Sequence, residues 1–179
     1  GSQGVPATAP PAATMADAGC TCLLSKAAVP QSGPFWAFPG IHRTIMVSEG
    51  EGMVLSVAGR PPRRLDKSFV PYEFSGDAAT ICELIDGPIR DFNLMVNRAL
   101  VSARLQVREL SREESVLLAE EILVFHLLSG GAELLLGSTQ QRADAGDTII
   151  LGSRAATSNV TLRPQQRATV AVINLKALR

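Results

Sequence analysis

The sequence predicts an all-β protein built from two related β-barrels, and three observations carry that expectation. First, from Thr21 onward the chain becomes short apolar runs such as CLL, TIMV, MVLSV, TICELI, ILVFHLL, DTIIL and ATVAVINL. Gly, Pro, Asp or Ser separates them at close, regular spacing, the pattern of a β-sandwich or barrel. Second, RTIMVSEGEGMVLSV (Arg43 to Val57) resembles LVFHLLSGGAELLLG (Leu123 to Gly137) at an offset of 80, with Gly50 falling on Gly130. Each copy reads strand, glycine turn, strand, and like units at long range indicate repeated structure. Third, the Gly76-Asp77 turn after Phe74-Ser75 echoes Gly146-Asp147 at an offset of 70, so the first copy should hold about ten extra residues. The basic loop Arg60-Pro61-Pro62-Arg63-Arg64 is the natural place for them.

Taken in order, residues 1–18 (GSQGVPATAPPAATMADA) lack any periodic apolar face and predict an extended or disordered arm. Residues 19–105 form the first expected barrel and 106–179 the second. One segment competes with this reading. Ser111-Arg112-Glu113-Glu114 fits a helix capping box, and the apolar residues from Val116 to Leu128 could continue it. The repeat decides for strand, because Leu123 to Leu128 must match the strand that opens the first copy.

Bulk properties exclude several functions. The 179 residues are 46% hydrophobic and 19% charged, enough apolar side chain for a sizeable core. Lys plus Arg and Asp plus Glu both number 17, so there is no cationic surplus to hold nucleic acid. No run approaches the roughly 20 apolar residues of a membrane span, and without a basic-then-apolar pattern in its first residues no secretory signal is expected. The three cysteines, Cys20, Cys22 and Cys82, are expected to be reduced thiols in a cytoplasmic protein.

The repeated unit, with a Gly-Asp turn before an apolar strand, is the backbone rhythm of a cupin half. The expected fold is therefore a bicupin, two double-stranded β-helix barrels in one chain, with a cavity at the barrel mouth. Catalytic cupins usually hold a metal through His-x-His, a later Glu and a further His. Here His42 and His126 are the two histidines and they do not form such a pair, so no metal and no cofactor are expected. There is no nucleophile elbow, phosphate loop or dinucleotide fingerprint either.

Two segments go beyond general rhythm. Gly33-Pro34-Phe35-Trp36-Ala37-Phe38-Pro39-Gly40-Ile41-His42-Arg43 is one. The other is Phe74-Ser75-Gly76-Asp77 followed by Gly87-Pro88-Ile89-Arg90-Asp91-Phe92-Asn93-Leu94-Met95. Together they resemble the HutD/Ves family, which carries G-P-F-S-x-F-P-G-x-x-R, F-x-G-D and G-P-x-x-D-F-N-L-M in that order. The family's N-terminal Trp-x-Asn-Gly-Gly-Gly motif has no full counterpart in this sequence. The resemblance implies a bicupin, a homodimer, and a non-catalytic accessory role in histidine utilisation. It points to a small carboxylate ligand, N-formylglutamate-like or urocanate-like.

The residues themselves suit such a ligand. Arg43 opens an otherwise apolar strand, and Asp91 and Asn93 share one face of theirs, opposite Phe92. With Trp36 and Phe38 nearby and Arg98 as a further cation, a guanidinium could clamp a carboxylate in the first barrel. The competing reading is an internal Arg43–Asp91 salt bridge without a ligand, since a buried Arg must be paired somewhere. Two further functions remain open. One is a metal-independent isomerase or lyase using Asp91 or Glu73 as general base. The other is an interaction module whose ligand site has decayed.

Overall fold

The computed structural model describes residues 13–14, 22–118, 121–152 and 158–178, and every regular element among them is a strand. Two compact units divide the chain, Gly1–Val101 and Ser102–Arg179. Cys20 and most of the expected N-terminal arm lie outside the described residues. Within that arm, β1 (Ala13–Thr14) pairs antiparallel with Leu23 and Leu24.

The first unit continues with β2 (Cys22–Val29), β3 (Gly33–Pro34), β4 (Ile41–Glu49), β5 (Met53–Val57) and β6 (Arg63–Leu65). It closes with β7 (Tyr72–Ser75), β8 (Thr80–Leu84) and β9 (Ile89–Asn97). These strands form two sheets, in the orders β1-β2-β9-β4-β7 and β3-β8-β5-β6. Alternation explains their burial. In β5, Met53, Leu55 and Val57 are buried while Val54 and Ser56 are only partly so. Between the sheets Ile45, Val47, Met53, Leu55, Phe74 and Ile89 form the core. Burial of each such side chain contributes about 1.5–3 kcal/mol.

The second unit consists of β10 (Val101–Leu110), β11 (Glu114–Leu118), β12 (Ile122–Ser129), β13 (Gly131–Leu136), β14 (Thr139–Asp144), β15 (Thr148–Gly152), β16 (Ser158–Pro164) and β17 (Ala168–Ala177). Its sheets run β10-β17-β12-β15 and β11-β16-β13-β14, around a core that includes Leu123, Phe125, Leu127, Leu162, Val170 and Val172. Where the capping box could have opened a helix, the described residues form β11 and β12, as the repeat required. Among the described residues no helix is long and apolar enough to cross a membrane.

Apart from β1, the strands of the two units correspond in order, β2–β9 to β10–β17, and the offset of 80 holds for β4 and β12. Gly50 (φ 96°) and Gly130 (φ 71°) end β4 and β12 in the left-handed region that favours glycine. Each is also pressed on the strand that follows it across the sheet. A Cβ on Gly50 would lie 2.8 Å from the Pro88 carbonyl, and one on Gly130 would collide with the Arg167 carbonyl.

The second echo differs from expectation. Tyr72 of β7 pairs with Ile45 as Ile149 of β15 pairs with Phe125, so the offset has fallen only from 80 to 77. The first copy therefore carries three extra residues by this point, not about ten, and they fall one each in the turns between β4 and β5, β5 and β6, and β6 and β7. Gly76-Asp77 follows β7, whereas Gly146-Asp147 precedes β15. The true counterpart of Gly146 is Phe69. Phe69 N–H donates to the Val47 carbonyl as Gly146 N–H donates to Leu127, each at 2.8 Å. Phe69 even shares the positive φ, at 62°. Matching on letters failed because this conformation is held in the first copy by a residue that rarely adopts it.

Candidate ligand site in the first barrel

Arg43, Ile45 and Val47 alternate along β4, and so point to the same side of the sheet. Ile45 and Val47 belong to the first core, which places the Arg43 side chain in the barrel interior. Asn93 lies opposite Ile45, and Asp91 opposite Val47, on the central strand β9, so both face the same interior. Arg43 is 5% exposed, and Asp91 and Asn93 are 3% exposed each. The Arg43 Nη2 donates to Asn93 Oδ1 at 2.7 Å. Its guanidinium carbon lies 5.4 Å from the ring centres of Phe35 and Phe38 and 5.0 Å from that of Phe74. Three ring faces compensate part of the hydration that the cation has lost.

That compensation is incomplete. Arg43 Nε and Asp91 Oδ1 are both buried with no hydrogen-bond partner. Leaving such groups unsatisfied costs about 1–3 kcal/mol each, and more when they are charged. Burial lowers the Arg43 pKa to about 10 against the raising effect of Asp91, so it stays a cation at neutral pH. Burial also raises the Asp91 pKa to about 6, with the Asn93 side chain and the Arg43 charge offsetting part of the rise.

The direct Arg43–Asp91 salt bridge weighed from the sequence is not formed, as no N–O approach between them falls within 4.0 Å. Register gives the reason. Arg43 stands opposite Met95, so Asn93 is one diagonal step away and Asp91 two. The guanidinium meets the amide first.

A tight loop carries two of the rings. Phe35 N–H donates to the Thr80 carbonyl at 2.9 Å, and Phe38 N–H to the Gly76 carbonyl at 2.8 Å. Gly76 must be glycine, because a Cβ there would sit 2.6 Å from the Phe38 carbonyl oxygen. Asp77 Oδ1 accepts from the Gly40 N–H at 3.0 Å, and the Asp77 carboxylate also holds Arg98 and the Ser75 hydroxyl. The hydrogen bond and charge of Arg98 hold the Asp77 carboxyl well below the usual carboxylate range.

Of the six residues expected at the site, Arg43, Asp91, Asn93 and Phe38 converge in one cluster. Trp36 and Arg98 do not join it. Trp36 is 56% exposed, and Arg98 spends its charge on Asp77 at the loop base. Glu73 alternates with Phe74 and so points away from the cluster, where its Oε2 lies 3.6 Å from His42 Nε2. Phe35, expected from the sequence in the aromatic-rich turn with Trp36 and Phe38, and Phe74, which the sequence does not single out as a ligand contact, complete the aromatic wall. The signal for Phe74 was its F-x-G-D motif, read only as a turn. Cys82 is fully buried beside Met53, its Sγ donating to Met53 Sδ at 3.5 Å, and burial pushes its pKa up to about 12. Among the described residues no group of three His, Cys, Asp or Glu could hold a metal ion.

The second unit supplies an internal control. By strand pairing, Leu123 stands where Arg43 does, Val170 where Asp91 does, and Val172 where Asn93 does. All three belong to its apolar core. The fold closes with aliphatic side chains at these positions, so it does not require charge there.

Two repeated barrels, one with a charged and aromatic-walled cluster in its interior, define a bicupin with a polar site in the first barrel. The family model described as HutD matches residues 7–171, and the chain belongs to the HutD family. A conserved protein of unknown function from Pseudomonas aeruginosa PAO1 superposes with a TM-score of 0.85 at 31% identity, over 92% of this chain and 87% of that one. HutD from Pseudomonas fluorescens SBW25 gives a TM-score of 0.72 at 25% identity, over 94% of each chain. A 21.2 kDa protein in the hutC 3′ region of Pseudomonas putida is 45% identical over 83 residues, which span 46% of this chain and 43% of that relative. Likeness of fold alone extends to a cupin 2 conserved barrel domain protein from Leptotrichia buccalis, with a TM-score of 0.56 at 10% identity over 87% of this chain and 83% of that one.

Proposed function

We propose that the first barrel binds a small carboxylate and that the protein serves histidine utilisation as a non-catalytic binding or regulatory component. The observation that carries this reading is the pair of unsatisfied buried atoms, Arg43 Nε and Asp91 Oδ1, at positions where the second barrel is aliphatic. A ligand with a carboxylate for Arg43 and a polar N–H or O–H for Asp91 would satisfy both at once. N-Formylglutamate offers a carboxylate and an amide N–H, and urocanate a carboxylate and an imidazole N–H. The relatives named for HutD and for a hutC neighbourhood support this choice of pathway.

The experiment is a thermal-shift titration of the full chain with N-formyl-L-glutamate and urocanate. Ligand at about 100 times its dissociation constant stabilises the fold by about 2.7 kcal/mol, a rise of about 5–10 °C for a chain of this size. Arg43→Lys keeps the charge and loses the bidentate fork. It is expected to retain most of the unliganded stability and to lose most of the shift. No shift with either acid overturns the proposal.

One observation favours a second reading. A carboxyl held near pKa 6 in a buried setting suits a general base, as a metal-independent isomerase or lyase would need. Asp91→Asn separates the two readings. Conversion of a bound acid by the parent and not by the variant supports the enzyme, and ligand recovered unchanged from the parent supports binding alone.

A further inference from the structure

A second polar feature lies in the other barrel. On β10 the alternate residues Ser102, Arg104, Gln106 and Arg108 share one face, and the next residue on it, Leu110, belongs to the second core. On β17 the face that carries Val170 and Val172 into that core continues outward as Asn174 and Lys176. The interior surface of the barrel thus changes, toward its rim, from aliphatic to cationic. These residues line a cleft of about 440 Å³ with Val116 and Val172 at its apolar base. Its size falls at the lower end of the roughly 300–1,000 Å³ range of small-molecule sites.

The charge in the cleft is one-sided. Arg104, Arg108 and Lys176 bring three cations, with Gln106 and Asn174 as amide donors between them. Glu114 approaches Arg108 at 3.7 Å, too long for a strong charge-assisted hydrogen bond. The fold does not require this pattern. In the matching sheet of the first unit, the equivalent face of β2 carries Leu23, Ser25, Ala27 and Val29, none of them charged. A concave site of this size with only three cations suits a compact ligand. A nucleic acid would need a broader basic field than a chain of zero net charge provides.

We infer that the rim of the second barrel binds a small polyanion carrying two or more negative charges, a polycarboxylate or a phosphorylated metabolite. This site is independent of the carboxylate site in the first barrel.

Isothermal titration calorimetry of the full chain with citrate and with inorganic pyrophosphate tests the inference and separates the two ligand chemistries. The expected result is saturable binding of at least one probe that persists in the Arg43→Lys variant and is weakened by added salt. Arg104→Gln and Lys176→Gln should each weaken it about tenfold, the equivalent of about 1.4 kcal/mol. Arg142→Gln removes an exposed cation outside the cleft and should leave the affinity unchanged, as should Arg43→Lys in the first barrel. The absence of saturable binding by both probes overturns the inference. So does a loss with Arg142→Gln equal to that with Arg104→Gln, which marks diffuse surface attraction, or abolition by Arg43→Lys, which assigns the binding to the first barrel.

Discussion

Arg43 and Leu123 occupy the same place in the two barrels. Arg43 pairs with Met95 and Phe74 on its neighbouring strands, and Leu123 pairs with Asn174 and Leu151 on the equivalent ones. One barrel fills the position with a cation ringed by three phenylalanines, the other with an aliphatic side chain in its core. A buried charge with an unpaired donor is a cost that the leucine avoids. On the function proposed above, the first barrel carries that cost to hold a ligand.

Asp91 should make stability depend on pH in a defined window. Its folded pKa, raised to about 6, lies above the ordinary carboxyl value of 3.8. A raised folded pKa means that the native state holds the proton more tightly than the unfolded chain. The associated stability is then fully present below about pH 4 and is lost as pH rises through about 6. At 1.36 kcal/mol per unit, the loss is about 3 kcal/mol. Asp91→Asn should remove it. Urea titrations at pH 4 and pH 7.5 should show the variant gaining on the parent by about that amount at the higher pH. Its intercept will also reflect Arg43 losing a nearby anion, but the difference between the two pH values will not.

The turn glycines should differ in how much they tolerate a methyl group. Gly146 has φ 96° and open space around its missing Cβ. Gly146→Ala should therefore cost about 1–2 kcal/mol, from backbone strain alone. Gly50 has the same φ and also meets the Pro88 carbonyl and the Ile89 side chain within 3.0 Å. Gly50→Ala should cost more, by at least about 1 kcal/mol. Equal denaturation midpoints for the two variants would show that the close approach of β4 to β9 is absent.

Cys82 should be chemically silent in the native protein. It is fully buried, and its pKa, pushed up to about 12, leaves almost no thiolate at pH 8. In a Cys20→Ser background, a thiol reagent should modify Cys82 only as fast as the protein unfolds. Rapid modification under native conditions would place it on an accessible path.

Much of the fold was legible in the sequence because the repeat is carried by glycines at strand ends, where sterics permit little else. Gly50 and Gly130 were recognisable for that reason. Phe69 was not, since a phenylalanine with positive φ leaves no letter that matches Gly146. At the candidate site, Arg43, Asp91 and Asn93 stood out as polar residues within apolar strands. Their mutual contacts depend on register, and a sequence offers no direct view of which residue on β9 faces Arg43. Arg98 and Trp36 were drawn in by their nearness along the chain to the motifs. The Asp77 network and the exposure of Trp36 separate them from the cluster.

The most direct test of the central claim, that the polar cluster serves a ligand and not the fold, is to give the first barrel the residues of the second. The triple variant Arg43→Leu, Asp91→Val, Asn93→Val replaces a buried polar cluster by aliphatic side chains, a change that is often neutral or stabilising by about 1–4 kcal/mol. Melting temperature is measured for parent and variant, each with and without N-formyl-L-glutamate or urocanate. The expected result is a variant at least as stable as the unliganded parent, with the ligand-induced rise seen in the parent abolished. A variant that melts well below the parent, or one that keeps the ligand-induced rise, contradicts the claim.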